Sequence, residues 1–160
     1  MAANLLAYPA IIMGEKVART PPKSRNPAAA MHRRASAVTA LNLPPAKLDA
    51  PMQAYFDKCM EKLGFVPNVL KAYSFDLAKL KAFVAMADDL MLAPSGLSKL
   101  ERELIAVTVS VANHCHYCIV AHGATVRKLS GDARLGDTVA ANYRAAELDA
   151  RTRTMLDFAW

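Results

Sequence analysis

"LERELIAVTVSVANHCHYCIVAHG", Leu100–Gly123, is the stretch on which the fold reading turns. Beyond Arg102 its first half is apolar on nearly every face, the pattern of a helix running through the middle of a domain rather than along its surface. Ser98 with Glu101 three residues on has the form of a capping box, and Pro94 and Gly96 break whatever precedes it. Asn113 is expected to end this helix and cap the next, which would run from His114 to about Leu129 before "SGD" turns the chain. No segment alternates with a period of two for long enough to argue a strand. The expected fold class is therefore all-α.

Three of the four histidines and two of the three cysteines fall between His114 and His122. With Asn113 as N-cap, Cys115 lies in the first turn and Cys118 just beyond it. Helical steps of i, i+3 and i+7 then put Cys115, Cys118 and His122 on one face. Two such Cα atoms three residues apart stand about 5 Å from each other, inside the range a disulfide accepts. A helix N-terminus also favours thiolate over thiol. His122, one turn beyond Cys118, is placed to take a thiol proton. Other chemistries fit less well. A c-type haem site needs His directly after the second Cys, where this chain has Ile119. Structural zinc wants four ligands, and Cys115, Cys118 and His122 supply three, with His114 an awkward fourth. A thioredoxin-like motif needs strands around it. Buried inert cysteines are the bland alternative. Glu103, one turn inside its helix, either favours the positive end of the helix dipole or serves the cluster downstream.

Working outward, the helical pattern continues in both directions. In "PMQAYFDKCMEKLG" the residues Met52, Tyr55, Phe56, Cys59, Met60 and Leu63 make one apolar face, with Gly64 as a stop, so Cys59 reads as a small buried hydrophobe. A short piece at "PNVLKAYS" leads to "DLAKLKAFVAMADDLML", where Leu77, Leu80, Val84, Ala87 and Met91 recur at helical spacing. The last helix, "DARTRTMLDFAW", has Asp149 as its cap and Met155, Leu156 and Ala159 as its apolar stripe. It stops at Trp160 with no C-cap, so the domain is expected to be incomplete at its C-terminus.

At 160 residues and 54% hydrophobic the chain suits one globular domain. Its most apolar segment, Leu104 to Ala112, is about half of a membrane span, so no membrane partner is expected. The net charge of +6 sits at one end, since residues 1–48 hold seven Lys and Arg against Glu15 alone, while residues 49–160 carry thirteen basic and thirteen acidic side chains. Nucleic-acid binding by the folded part thus loses its electrostatic warrant. Residues 1–40 form a basic leader expected to be disordered: a tail, upstream sequence, or a transit peptide. Localisation is expected to be cytoplasmic, or organellar if that leader is a transit peptide.

The run quoted at the outset resembles the signature of the alkylhydroperoxidase D-like (carboxymuconolactone decarboxylase-like) family, whose redox members place a Glu twelve residues before a CxxC and a His four residues after it. Glu103, Cys115, Cys118 and His122 match those positions one for one. Upstream "KLGFVPNVLKAYS" and "LMLAPSGLSK", and downstream "RKLSGD" and "AANYRAAEL", resemble the family's peroxidase-related branch, over roughly residues 41–160. The resemblance implies an AhpD-like helical domain with the CxxC at the N-terminal end of a central helix. It further implies a thiol-dependent peroxidase acting on organic hydroperoxides, with Cys118 as peroxidatic thiol, Cys115 as resolving thiol, and Glu103 and His122 as a proton relay. Tyr117 stands where better-known members have His, with His116 one place earlier, so both are possible relay residues. The implied partners are a small hydroperoxide, a thiol, lipoyl or thioredoxin-like electron donor, and further copies of the chain, as a trimer or a multiple of one. No cofactor and no metal is implied. The alternative function is a non-catalytic thiol-disulfide sensor or metal-binding module.

Overall fold

The computed structural model describes residues 43–160. The leader, residues 1–40, lies outside the described residues. Seven α-helices are present among those described: α1 (Ala50–Leu63), α2 (Asn68–Tyr73), α3 (Leu77–Leu92), α4 (Lys99–Ala112), α5 (His116–Ser130), α6 (Leu135–Asn142) and α7 (Ala150–Ala159), with a 3-10 turn at Tyr143–Ala145. The described residues are all-α, as their periodicity requires. The described residues divide into two compact units that meet in sequence within α3, between Ala85 and Met86.

In the first unit, Asp49 caps α1 by accepting the Met52 N–H at 3.2 Å, and Gly64 ends the helix in the left-handed region at φ 78°. Of the expected apolar face Met52, Tyr55 and Cys59 are buried and Phe56 and Leu63 half-buried, while Met60 is exposed at its edge. Met52, Tyr55 and Cys59 of α1 pack with Leu70 of α2 and with Leu80 and Val84 of α3. Cys59 is free and buried, and desolvation pushes its thiol pKa up, so it is poorly suited to form a thiolate. The carboxylate of Asp49 also pairs with Lys81, which holds it below its ordinary pKa.

The second unit is built on α4. Both halves of the capping box form, with the Glu101 N–H donating to Ser98 Oγ at 3.2 Å and the Ser98 N–H donating to Glu101 Oε2 at 2.7 Å. One residue on, the buried Arg102 guanidinium donates to the carbonyls of Leu90 and Ala93 and to Ser95 Oγ, tying the preceding loop to the helix start. Leu104 and Val107 of α4 then meet Val126 of α5, Val139 of α6, Tyr143 and Leu156 of α7 in one core. Helix α6 and the 3-10 turn carry too short a pattern to be read from sequence. Helix α6 is placed by packing, with Val139 in the core, and the 3-10 turn is held by side-chain bonds. Tyr143 donates its hydroxyl proton to Asp157 at 2.8 Å, and Arg153 donates to the carbonyls of Tyr143 and Ala146. Asp149 caps α7, as expected, through the Thr152 N–H at 2.9 Å.

Along α3, Leu80, Val84 and Asp88 follow one another at four-residue steps on one face. Asp88 is the exception to that stripe. Its carboxyl is nine-tenths buried, neither oxygen has a hydrogen-bond partner among the described residues, and burial raises its pKa to about 6.

Candidate active site

The link from α4 to α5 differs from the sequence reading. Asn113 does close α4, but it is Cys115, not Asn113, that stands at the N-cap of α5, and the helix begins at His116 rather than His114. The cause is a Schellman turn. The His114 N–H donates to the Val111 carbonyl at 3.0 Å and the Cys115 N–H donates to the Ser110 carbonyl at 2.9 Å, the paired bonds of that motif. Such a turn needs a left-handed residue at its centre, and His114 takes that conformation at φ 54°. Glycine usually fills such a position, so nothing in the residue type announced the turn. The turn redirects the chain within the three residues Asn113, His114 and Cys115 that separate the two helices. It brings Cys115 to the mouth of α5 and Cys118 to its third residue.

Cys115 and Cys118 are joined by a disulfide, with Cα atoms 5.3 Å apart. Four residues past Cys118, on the same face of α5, His122 points back to α4. There its Nδ1 lies 2.7 Å from Glu103 Oε2. The two partners sit in unlike surroundings: the Glu103 side chain is 4% exposed, that of His122 22%. Periodicity alone could place Glu103 only on α4, and its pairing with His122 was implied by the family resemblance; the fold sets the two side chains together across nineteen residues of chain. With Glu103 as carboxylate, which accepts only, His122 Nδ1 is the donor of this bond, and a neutral ring then has its lone pair on Nε2. No acidic residue occupies the first turn of α5, so no carboxylate competes with a thiolate there.

His116 and Tyr117 are exposed on the first turn of α5, and neither has a hydrogen bond or ion pair to the Glu103–His122 couple among the described residues. Val109 of α4 and Val120 of α5 are exposed as well, which gives the surface about the two helices an apolar character. Among the described residues no group of three or more His, Cys, Asp or Glu side chains is arranged to hold a metal ion.

This is the arrangement on which the comparisons with known proteins bear. The family model for "Carboxymuconolactone decarboxylase family" matches residues 79–159, half of the chain and all of the residues just described. The chain belongs to that family. Among solved structures, an uncharacterized peroxidase-related protein from Silicibacter sp. TM1040 is 64% identical, with a TM-score of 0.70 over 75% of this chain. A second, described as the alkylhydroperoxidase AhpD core of an uncharacterized peroxidase-related protein from Ralstonia eutropha JMP134, is 41% identical, with a TM-score of 0.67 over 72% of this chain. The chain spans 63% and 62% of the length of those two proteins. No curated protein matches it. As a member of this family, the chain carries its CxxC on the N-terminal turn of the helix that packs most closely with the central α4.

Proposed function

We propose that the protein is a thiol-dependent peroxidase that reduces organic hydroperoxides through a Cys115/Cys118 dithiol-disulfide cycle. The observation that carries this reading is the buried Glu103 carboxylate bound at 2.7 Å to His122, one helical turn from the disulfide-forming Cys118. In the reduced protein His122 Nε2 accepts the Cys118 thiol proton, and Glu103 orients the ring and offsets the imidazolium charge. The Cys118 thiolate attacks the terminal oxygen of ROOH. The O–O bond breaks, an S–O bond forms, and the leaving alkoxide takes the proton from His122 to depart as ROH. Cys118 is now a sulfenic acid. The Cys115 sulfur attacks Cys118 Sγ and expels hydroxide, which leaves as water with the Cys115 proton, and the disulfide closes. A dithiol donor of lipoyl or thioredoxin-like type returns two electrons and two protons.

The names of the two solved relatives, both peroxidase-related, support the same chemistry. A homo-oligomer, trimeric or built from trimers, is part of the proposal, as is a cytoplasmic location. The test is consumption of an alkyl hydroperoxide by the full chain with excess dithiol. Many turnovers are expected, none in Cys118→Ser, and a single oxidation that stalls at sulfenic acid in Cys115→Ser when the only reductant is a bulky one. A wild-type protein that stops after one equivalent under excess dithiol would make it a sensor instead.

A further inference from the structure

Immediately after His122 in sequence, Gly123 is buried where α6 crosses α5. The crossing is closer than side chains permit. A Cβ placed on Gly136 of α6 would stand 2.5 Å from the Gly123 carbonyl oxygen and 3.1 Å from its Cα and C, all backbone atoms that have no rotamer to escape into. The contact is one-sided. A Cβ on Gly123 would meet only Arg127 Nη1, at an ordinary 3.7 Å. The two helices are tied again beyond the crossing by Arg127 Nη1 donating to Asp137 Oδ1 at 2.8 Å. Since α4, α5 and α6 all pack on one another, α5 has α4 on one side, where His122 meets Glu103, and α6 on another, where Gly123 meets Gly136.

We infer that Gly136 is a positioning residue for the Glu103–His122 couple: the bare backbone of α6 at Gly136 sets how far α5 lies from α6, and through that where the His122 ring stands against the fixed, buried Glu103. A methyl group at position 136 forces the crossing open by about 1 Å to restore normal contact. The Glu103–His122 bond at 2.7 Å would be carried past the geometric limit by a movement of this size along its direction. Misplacement of a reacting group by 1 Å costs on the order of 10²-fold in rate. The catalytic meaning of the inference rests on the peroxidase reading, but the position of the ring does not.

The test uses the full chain, reduced, as wild type, Gly136→Ala, Gly123→Ala, Glu103→Gln and the Gly136→Ala/Glu103→Gln double variant. Two readouts are taken: the imidazole Nδ1–H resonance of His122 by ¹⁵N-edited NMR, and the alkylation rate of Cys118 by peptide mapping. Gly136→Ala is expected to lose the hydrogen-bonded Nδ1–H signal and to slow Cys118 by roughly 10- to 100-fold, while Gly123→Ala changes neither. In the double variant the rate is expected to match Glu103→Gln alone within about twofold, because the same couple is already broken. A folded Gly136→Ala with the wild-type resonance and rate would overturn the inference. So would a double variant slowed by the product of the two single effects. If Gly136→Ala does not fold, Val139→Ile, one methylene added on the buried face of α6 that packs with Val126 of α5, strains the same helix contact more gently, and a measurable slowing of Cys118 is expected. A wild-type rate there would overturn the inference equally. Absence of peroxide turnover with these signals as expected would refute the peroxidase reading and leave the positioning role standing.

Discussion

The carboxyl of Asp88 gives the sharpest quantitative prediction. It is nine-tenths buried with no hydrogen-bond partner for either oxygen among the described residues, and desolvation lifts its pKa from the ordinary 3.8 to about 6. The folded protein therefore holds this proton over a window in which the unfolded chain has already released it. Across that window the native state binds more protons than the unfolded state, so stability falls as pH rises. The contribution is fully present below about pH 4 and lost above about pH 6. At 1.36 kcal/mol per unit the displacement corresponds to about 3 kcal/mol, a ceiling that partial hydration of the site would lower toward about 1.5 kcal/mol. Asp88→Asn keeps the shape and the unpaired polarity but cannot ionise. Denaturant unfolding of wild type and variant should therefore give similar stabilities at pH 4, with the variant ahead by about 1.5–3 kcal/mol at pH 7.5. Other groups titrate in both proteins and drop out of the difference. Parallel stability curves across this range would refute the reasoning and mean that Asp88 has a partner or is reached by water.

Glu103→Gln keeps the volume but loses the charge that supports His122, so alkylation of reduced Cys118 at neutral pH should slow by roughly 10- to 100-fold with helical content unchanged. An unchanged rate would leave Glu103 as a partner of the helix dipole. His114→Gly should raise stability by up to about 1 kcal/mol, because the left-handed centre of the Schellman turn carries a Cβ it does not need. Thermal unfolding of the reduced protein decides it, and a loss of stability would show that the imidazole makes a compensating contribution. Cys59→Ser should lower stability, through a hydroxyl buried in an apolar cluster, without changing peroxide consumption.

Much of the helical content could be read along the chain because its causes are local. The stripe Met52–Tyr55–Cys59, the Ser98/Glu101 box and the Asp149 cap each depend on residues within a few positions, and each is where the pattern placed it. The all-round apolar character of α4 likewise requires a central position. The spacing of Cys115 and Cys118 also made a disulfide attainable. Three things were decided only in the folded chain, the first by a local turn and the other two by distant residues. The start of α5 was set by the Schellman turn, which forces a histidine into a conformation its residue type does not advertise. Helix α6 owes its place to packing on α4 and α5 and to a glycine contact that no periodicity reveals. Read from the residue pattern alone, Glu103 was undecided between helix dipole and couple, because whether a buried carboxylate meets an imidazole depends on distance and desolvation, and neither is a property of sequence order.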